Sequence, residues 1–490
     1  MKNNVQLITY VDRLTGAGVP ELAATLEGPL SQLFSGVHLL PFYYPIDGSD
    51  AGFDPIDHTL VDERLGTWHD VKQLGANTEL MADLIVNHMS AQSPEFKDVL
   101  AKGRESAYWD LFLTKDKVFP NGLTPELQSK IYRPRPGSCF TAFTLPNGEV
   151  AEFWTTFTDN QIDIDVHSQA GKAYLHRILN TFANNNIKMI RLDAAGYAIK
   201  KAGTSCFMLD ETFDFIGALS EYAQSLGIET LVEIHSYYKT QIDIAERVGM
   251  VYDFALPPLV LHSIFNQDVT ALVNWLTISP RNCITVLDTH DGIGIIDVGP
   301  MEGQPGLLSD NEIDTLVETI HRKSHGESKK ATGAAASNVD LYQVNCTYYD
   351  ALGKDDYDYL VARAIQFFSP GTPQVYYGGL LAQHNDMQLL AASNVGRDIN
   401  RPYLDSEKLT QQMQRPVVQA LMKLIALRND SAAFDGQFDV QGQGSRLTLR
   451  WQNEAQVATL NLDLAKRSGV IELESDGHSR IVNLSDLISL

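Results

Sequence analysis

Residues 187–197 read Ile-Lys-Met-Ile-Arg-Leu-Asp-Ala-Ala-Gly-Tyr, and they determine how the rest of the chain is interpreted. The stretch opens as a short apolar run, which is typical of a buried strand. Arg191 and Asp193 are two residues apart, so in a strand both side chains point to the same face. A guanidinium close to a carboxyl lowers its pKa, which is what a carboxylate that must stay ionised in a closed pocket requires. The stretch therefore predicts either a charged catalytic carboxylate or a plain ion pair at the end of a strand.

Strand-like apolar runs of the same kind recur along the chain, at 5–11, 36–42, 79–86, 187–193, 227–235, 250–257, 284–290 and 371–378. Continuous apolar character predicts strands that are buried on both faces of a parallel sheet. Helical patterns such as 171–184 and 211–225 lie between them. The sequence therefore predicts an α/β protein built on a closed (β/α)8 TIM barrel. The alternative, an open doubly wound sheet, would carry a phosphate-binding glycine loop after its first strand. Gly292-Ile293-Gly294 is too short for that motif, and we interpret it as a turn.

Two intervals are too long to be simple loops of a barrel. We predict a barrel formed by 1–86, 168–291 and 354–433, with a subdomain inserted after the third strand over 87–167 and a second insertion after the seventh strand over 292–353. Within the second insertion, residues 321–338 are rich in Lys, Gly, Ala and Ser, which predicts a mobile loop. Alternating patterns at 446–451, 456–464 and 470–474 predict a small antiparallel β domain over 434–490.

The composition limits the class of protein. The chain has 490 residues, 44% of them hydrophobic, and a net charge of -23, which argues against nucleic acid and against an anionic membrane surface as partners. It contains no apolar run of ~18 residues that would span a membrane, and the apolar run at its start is too brief for a signal peptide. The four cysteines are far apart in sequence, which predicts free buried thiols in a reducing cytoplasm and neither zinc nor a disulfide framework.

Four of the predicted strands end in acids and histidines. These endings are Asn87-His88, Asp193, Glu233-Ile234-His235 and Asp288-Thr289-His290-Asp291. In a barrel the carboxyl ends of the strands meet at one rim, so the side chains are expected to converge there. Converging carboxylates indicate metal ligation or glycosyl chemistry, and the residues alone do not exclude a metal. Glycosyl transfer needs one ionised and one protonated carboxyl, roles that fit Asp193 beside Arg191 and Glu233 on the next strand.

The motifs Asp83–His88, Arg191–Asp193, Glu233–His235 and His290-Asp291 resemble, in this order, the four motifs of the α-amylase superfamily. Stretches at 47–57, 131–137, 202–207, 287–292, 340–345 and 396–401 resemble the sucrose phosphorylase group of that superfamily. The likeness covers nearly the whole chain and is weakest after residue 434. Before His290-Asp291 the chain has Leu-Asp-Thr, where amylases usually have a Phe and an Asn, and the phosphorylases share this departure.

The resemblance implies a reversible phosphorolysis of sucrose to α-glucose 1-phosphate and fructose, with retention, through a covalent glucosyl-enzyme. It implies Asp193 as the nucleophile, Glu233 as the acid and base, and Asp291 as a stabiliser of the oxocarbenium-like state. The substrate-binding residues that it implies are Asp50, Phe53, His88, Phe157, Arg191, Tyr197, His235, His290, Asp340, Gln343 and Arg397. The phosphate-binding residues that it implies are Arg135, His235 and Tyr342. It implies no calcium ion and no organic cofactor.

Three other functions stay open from the sequence. One is a hydrolase or transglucosidase on the same barrel, and transglucosylation to other acceptors is in any case expected as a side reaction. A second is a related phosphorylase with glycerol, glycerate or fructose 6-phosphate as acceptor. The third is a non-catalytic sugar-binding or transporter-associated barrel, which would lack the acids that this chain keeps and would carry a membrane helix. The expected partners are small molecules, and the oligomeric state is left open between a monomer and a homodimer.

Overall fold

The computed structural model describes residues 2–48, 50–134, 137–332, 343–454, 456–475 and 477–489. In chain order its strands are β1 (Gln6–Thr9), β2 (Gly36–Leu39), β3 (Tyr43–Tyr44), β4 (Asp57–Val61), β5 (Glu79–Ile85), β6 (His88–Ser90), β7 (Phe140–Thr144), β8 (Val150–Trp154), β9 (Gln161–Asp163), β10 (Ile187–Asp193), β11 (Glu229–Val232), β12 (Met250–Asp253), β13 (Cys283–Thr285), β14 (Ile293–Gly294), β15 (Gln343–Val344), β16 (Thr372–Tyr376), β17 (Gln437–Gln443), β18 (Arg446–Asn453), β19 (Gln456–Asp463), β20 (Ser468–Ser475) and β21 (His478–Asn483).

The helices are α1 (Val11–Thr15), α2 (Val19–Glu27), α3 (Trp68–Asn77), α4 (Pro94–Lys102), α5 (Lys115–Val118), α6 (Pro125–Lys130), α7 (Gln169–Asn184), α8 (Asp210–Ser225), α9 (Tyr238–Arg247), α10 (Leu256–Asn266), α11 (Thr270–Ile278), α12 (Asp310–Lys323), α13 (Glu327–Lys330), α14 (Tyr348–Ala351), α15 (Asp356–Phe368), α16 (Tyr377–Leu380), α17 (Met387–Ser393), α18 (Ser406–Met413), α19 (Pro416–Asn429) and α20 (Leu484–Ile488). None of the helices in the described part of the chain combines the length and the apolar character needed to cross a membrane.

A closed parallel barrel forms the centre of the molecule. Its strands follow the order β1, β2, β5, β10, β11, β12, β13 and β16, and β16 pairs back onto β1. Each of these strands overlaps one of the apolar runs in the sequence, so the prediction of a TIM barrel is confirmed. The predicted runs extend further than several strands because the residues at their carboxyl ends leave the ladder and enter the loops of the rim.

Pairing in the barrel brings the charged residues of the neighbouring strands side by side. The parallel register of β5 and β10 places Asp83 next to Arg191 and Ile85 next to Asp193. Almost every residue of β10 is buried, in keeping with its apolar sequence. Helix α7 leads into β10, and it begins at Ser168, whose side chain accepts a hydrogen bond from the backbone N–H of Gly171.

The interval 87–167 contains α4–α6 and two antiparallel pairs, β7 with β8 and β6 with β9. The carboxyl-terminal part forms a five-stranded antiparallel sheet in the order β17 to β21, which confirms the small β domain. The boundaries that we predicted for the domains are not tested by these elements.

Two predictions of local structure were wrong. Residues 292–294 do not form a simple turn, because Ile293–Gly294 is a short strand that pairs with Gln343–Val344. The part of 321–338 that is described contains the end of α12 and all of α13. Hydrogen bonds among His321, Ser324 and Ser328 stabilise this helical segment. Residues 333–338 lie outside the described part of the chain.

Candidate active site

A deep pocket opens at the carboxyl end of the barrel strands, where the sequence placed the acids and histidines. Its empty volume, with the open mouth included, is about 900 Å³. Its walls are formed by Asp50, Phe53, His88, Tyr132, Phe157, Asp193, Ala194, Gly196, Tyr197, Phe207, Glu233, Ile234, His235, His290, Asp291, Ile296, Gln343 and Arg397.

Arg191 lies beneath the pocket and joins three carboxylates. Its Nη1 atom is 3.1 Å from Oδ1 of Asp193, and its Nη2 atom is 2.6 Å from Oε1 of Glu233. Nη1 also lies 2.5 Å from Oδ1 of Asp83, a residue with no solvent exposure. A planar guanidinium is suited to this arrangement because it presents several donors in a fixed fork. Arg191 therefore fixes the two catalytic candidates relative to each other.

Asp83 supports Arg191 from the barrel interior. Its second oxygen, Oδ2, accepts a hydrogen bond from Nε2 of His38 on β2 at 2.9 Å. Burial alone would raise the pKa of the Asp83 carboxyl, but the contacts with His38 and Arg191 outweigh it and lower the pKa to about 2. Asp83 lies in one of the sequence motifs, but neither Asp83 nor His38 was predicted to support Arg191.

The charge state of Asp193 differs from the expectation that Arg191 keeps it ionised. Burial raises the pKa of the Asp193 carboxyl well above its usual value, and the nearby Glu233 and Asp83 carboxylates raise it further although Arg191 lowers it. The expectation was wrong because it counted the cation and omitted the two other acids that share it. In the open pocket Asp193 therefore favours its protonated form more than an ordinary aspartate does.

The backbone turns sharply directly after Asp193. Ala194 has a φ of 55°, in the left-handed region that residues with a side chain rarely adopt. Conformations of this kind persist where the surrounding structure enforces them, and they are concentrated at functional sites. Here the turn ends β10 and leaves the Asp193 carboxyl facing the pocket.

Asp291 is held as a carboxylate by cations. Its Oδ1 atom lies 2.9 Å from Nη1 of Arg397 and 3.5 Å from Nη2 of Arg401. Burial would raise the pKa of the Asp291 carboxyl, but Arg397, followed by His290, Arg401 and Arg191, holds it far below its usual range. In contrast to Asp193, this carboxyl strongly favours its charged form.

Neutral histidines and a phenyl ring form the inner wall. Phe53 stacks on His290 with ring centroids 4.9 Å apart and an angle of 9°. Burial lowers the pKa of His290 to about 3, and burial also lowers the pKa of His88. His88 donates from Nε2 to the carbonyl oxygen of Phe53 at 3.1 Å. Uncharged donors beside a flat apolar ring are suited to binding a sugar.

His235 also lines the pocket, and in contrast to His88 and His290 its surroundings favour a positive charge. Burial would lower its pKa, but the buried carboxylate of Asp297, followed by Glu233 and Asp291, raises the pKa above its ordinary value of 6.5. Nδ1 of His235 is 3.0 Å from Oδ2 of Asp297. The sequence analysis did not single out Asp297.

Aromatic side chains stack in a row at the mouth of the pocket. Tyr132 stacks on Phe207 at 4.6 Å, and Phe207 contacts Tyr197, also at 4.6 Å. Tyr197 in turn meets the edge of Phe157. Tyr132 and Phe207 were quoted within motifs but were not predicted as site residues, because only the fold shows that two distant loops meet here.

Most of the predicted site residues line this one pocket. They are Asp50, Phe53, His88, Phe157, Asp193, Tyr197, Glu233, His235, His290, Asp291, Gln343 and Arg397. Arg191 contributes from beneath it. Arg135, Asp340 and Tyr342 lie outside the described residues. Among the residues that are described, no group of three or more His, Cys, Asp or Glu side chains is arranged to hold a metal ion. The four cysteines are buried and unpaired.

Comparison with known proteins agrees with this geometry. The family model for the catalytic domain of α-amylases matches residues 32–234. The chain is 58% identical to the sucrose phosphorylase of Agrobacterium vitis, over 96% of this chain and 97% of that protein. It is 51% identical to the sucrose phosphorylase of Bifidobacterium adolescentis, over 96% of this chain and 94% of that protein.

Among solved structures, the sucrose 6F-phosphate phosphorylase from Thermoanaerobacter thermosaccharolyticum has the same fold. It is similar with a TM-score of 0.91 and 37% identity, and the match covers 99% of this chain and 98% of that one. Identity at these levels over nearly the full length, together with the shared fold, decides the family. The chain belongs to the sucrose phosphorylase family, which is built on the barrel of the α-amylases.

Proposed function

We propose that this chain catalyses the reversible phosphorolysis of sucrose to α-D-glucose 1-phosphate and D-fructose. The observation that carries the proposal is the 58% identity, along almost the whole of both chains, to a protein named sucrose phosphorylase. The pocket is consistent with it, because two carboxyls share one guanidinium and a third carboxyl is paired with Arg397.

In the first step, the Asp193 carboxylate attacks C1 of the glucosyl unit. The bond from C1 to the fructosyl oxygen breaks, and Glu233 gives its proton to that oxygen as fructose leaves. A glucosyl ester on Asp193 remains. Such a retaining displacement needs the two carboxyls roughly 5–5.5 Å apart. The contacts of both residues with the same guanidinium support this arrangement.

In the second step, Glu233 acts as the base. It takes a proton from phosphate as a phosphate oxygen attacks C1, and the ester bond to Asp193 breaks. Two inversions give the α-anomer, and both carboxyls return to their initial states. General acid and base catalysis of this kind contributes about 10²–10⁴ in rate.

The mechanism needs the single proton of the pair to be on Glu233. Burial raises the pKa of Asp193 in the open pocket, so ionisation of this residue has to be favoured when the substrate binds. A bound glucosyl unit supports this by placing a carbon that gains positive charge beside the Asp193 oxygen. Asp291, which strongly favours its charged form, is suited to stabilise the same developing charge and to accept hydrogen bonds from sugar hydroxyls.

Phosphate is the more difficult substrate because three acids surround the reacting carbon. Cationic groups on the acceptor side reduce this repulsion. The pKa of His235 is raised above its ordinary value. Arg397 lies 3.4 Å from Gln343, and the amide of Gln343 also meets His235. His235 and Arg397 therefore face the same part of the pocket. We propose Arg135 and Tyr342 as further phosphate ligands, with Asp340 and Gln343 contacting the acceptor sugar. The resemblance of the sequence motifs supports these roles.

The decisive experiment incubates the protein with sucrose in the presence and absence of phosphate. We expect glucose 1-phosphate of α configuration, formed much faster than free glucose is formed when phosphate is absent. Equal rates of glucosyl release with and without phosphate would indicate a hydrolase. Asp193→Asn is the matched control, because it keeps the shape of the nucleophile and removes its charge.

One alternative acceptor has support from the solved structures, since the similar crystal structure is that of a sucrose 6F-phosphate phosphorylase. The reverse reaction separates the candidates. Glucose 1-phosphate is offered with fructose, fructose 6-phosphate, glycerol or glycerate, and we expect fructose to have the highest kcat/KM. A cytoplasmic location stays a prediction, and the choice between a monomer and a homodimer stays open.

A further inference from the structure

Asp297 holds His235 from behind the pocket. Asp297 has no solvent exposure, and it lies in a short 3-10 helix, Ile296–Val298, that follows β14. Its Oδ2 atom is 3.0 Å from Nδ1 of His235, and its Oδ1 atom accepts the backbone N–H of Ser236 at 3.1 Å. Both oxygens of one buried carboxylate are therefore used to hold two consecutive residues at the end of β11.

The imidazole ring is also fixed on its faces. It stacks on Phe254 with ring centroids 3.8 Å apart and an angle of 13°. Gly294 approaches so closely that an added Cβ would lie 2.7 Å from Oδ2 of Asp297 and 3.1 Å from the His235 ring. With Nδ1 paired to Asp297, Nε2 lies on the other side of the ring, where it meets the Gln343 amide that lines the pocket.

We infer that Asp297 is a positioning residue for the acceptor step: its carboxylate, 3.0 Å behind Nδ1, directs Nε2 of His235 at the incoming phosphate and favours a positive charge on the ring, so that a dianion is accepted beside the catalytic acids. The inference rests on the proposed function. It concerns a residue that does not line the pocket and acts only through His235.

The charged groups around His235 are consistent with this role. Asp297, Glu233 and Asp291 all favour its protonated form, while burial opposes it. The cation Arg397 is next to Gln343, whose amide nitrogen lies 3.4 Å from Nε2 of His235. An amide nitrogen only donates, so this long contact suits the neutral ring, in which Nε2 accepts. In the protonated ring Nε2 donates, and an oxygen of phosphate is then the partner that it needs.

Asp297→Asn separates the charge of His235 from its hydrogen bond. The amide oxygen of Asn continues to accept the N–H of Ser236, which leaves the amide NH2 facing Nδ1. Nδ1 must then accept, so the ring becomes neutral with its proton on Nε2. The donor to phosphate is kept and the positive charge is lost. A neutral donor is weaker than a charged one, and we expect KM for phosphate to rise about five- to tenfold near pH 6.

The pH dependence distinguishes this role from a structural one. In the wild type, His235 stays cationic as the pH rises until its raised pKa is passed, whereas in Asp297→Asn it is neutral throughout. The ratio of the two phosphate KM values is therefore largest at low pH and falls as the pH rises. It is expected to drop below one at high pH, where the neutral wild-type ring keeps its proton on Nδ1 for Asp297 and has no donor at Nε2. Ionisation of phosphate itself cancels in this ratio. Simple damage to the site would give a ratio that does not change with pH.

Asp350→Asn is a matched control. The buried Asp350 carboxylate accepts from Nδ1 of His384 at 2.9 Å and from the backbone N–H of Asn385 at 3.0 Å, which is the same arrangement. Neither Asp350 nor His384 lines the pocket. We expect this variant to have an unchanged pH dependence of the phosphate KM, whatever its loss of stability.

A second background tests whether Asp297 acts through His235. In His235→Gln, the added change Asp297→Asn is expected to alter the phosphate KM less than about twofold, because coupled residues are not additive.

The pKa of His235 is also measured directly, by NMR titration of the imidazole signals of the wild type. The His235 signal is identified as the one that His235→Gln lacks, so this experiment needs no Asp297 variant. It is expected to give a pKa above the ordinary value of 6.5.

A KM ratio independent of pH, a full multiplicative effect in the His235→Gln background, or a His235 pKa below 6.5 would overturn the inference. Failure of the proposed function can be told apart from these outcomes, because the wild-type protein by itself would then form no glucose 1-phosphate from sucrose and phosphate. In that case the inference falls with it.

Discussion

Replacing Arg191 with lysine tests how the two catalytic carboxyls share one proton. Arg191 uses Nη1 for Asp83 and Asp193 and Nη2 for Glu233. Lysine keeps the positive charge but has a single nitrogen on a flexible stem. We expect it to remain on Asp83, the most deeply buried of the three partners, and to leave Asp193 and Glu233 without their shared cation.

The size of the effect follows from the distances. At an effective dielectric constant of about 20, two unit charges about 4 Å apart interact by about 4 kcal/mol, which corresponds to about 3 pKa units. The lysine charge stays nearby and water enters the space that the guanidinium leaves. Both effects reduce the change, so we expect the pKa values of the two carboxyls to shift by about one unit. Removing a cation makes each carboxyl hold its proton more tightly. The bell-shaped profile of kcat against pH should therefore move to higher pH by about one unit.

The assay measures initial rates of glucose 1-phosphate formation from sucrose and phosphate across the pH range, together with thermal unfolding. Arg363→Lys is the control: Arg363 is fully buried and lies 2.7 Å from Asp288, but neither residue lines the pocket. Both variants should lose about 3 kcal/mol of stability through lost hydrogen bonds to charged groups. Only Arg191→Lys should shift the pH profile. A folded Arg191→Lys protein with the wild-type profile would refute the proton-sharing scheme.

Three further predictions concern single residues. Glu233→Gln should lower kcat for sucrose phosphorolysis by about 10²–10⁴, and a substrate with a leaving group that needs no proton should be less affected; equal losses with both would contradict the acid role. Asp291→Asn should lower kcat/KM across the whole pH range in which the wild type is active, because a carboxylate that stabilises the developing positive charge is lost; a loss confined to one end of that range in steady-state assays would count against this. Lys200→Met should lower the free energy of unfolding in urea by about 3–5 kcal/mol. The reason is that the buried Lys200 ammonium lies 2.8 Å from both Asp163 and Asn87. A loss below about 1 kcal/mol would show that this ion pair is not important for stability.

The barrel could be predicted because its strands are buried on both faces. Such burial produces continuous apolar runs that are visible without any knowledge of pairing. Strands β17 and β21 were missed for the opposite reason, since most of their residues are exposed at the edges of the carboxyl-terminal sheet. Their pairing, and not their composition, makes them strands.

The catalytic acids were also within reach of the sequence, because each follows directly after an apolar run. The residues that tune them were not. Asp297 is 62 positions from His235, and His38 is 45 positions from Asp83. Such contacts depend on the barrel register and on loop packing. The same is true of the charge on Asp193, which depends on acids from three different strands.

Isolation of the glucosyl-enzyme tests the central claim most directly. Glu233→Gln incubated with an α-glucosyl donor whose leaving group needs no proton should form the ester and hydrolyse it slowly. Peptide mass spectrometry of the quenched protein is then expected to find one added glucosyl unit, on Asp193. A glucosyl unit on any other residue, or β-glucose 1-phosphate as the product of the wild type, would contradict the account.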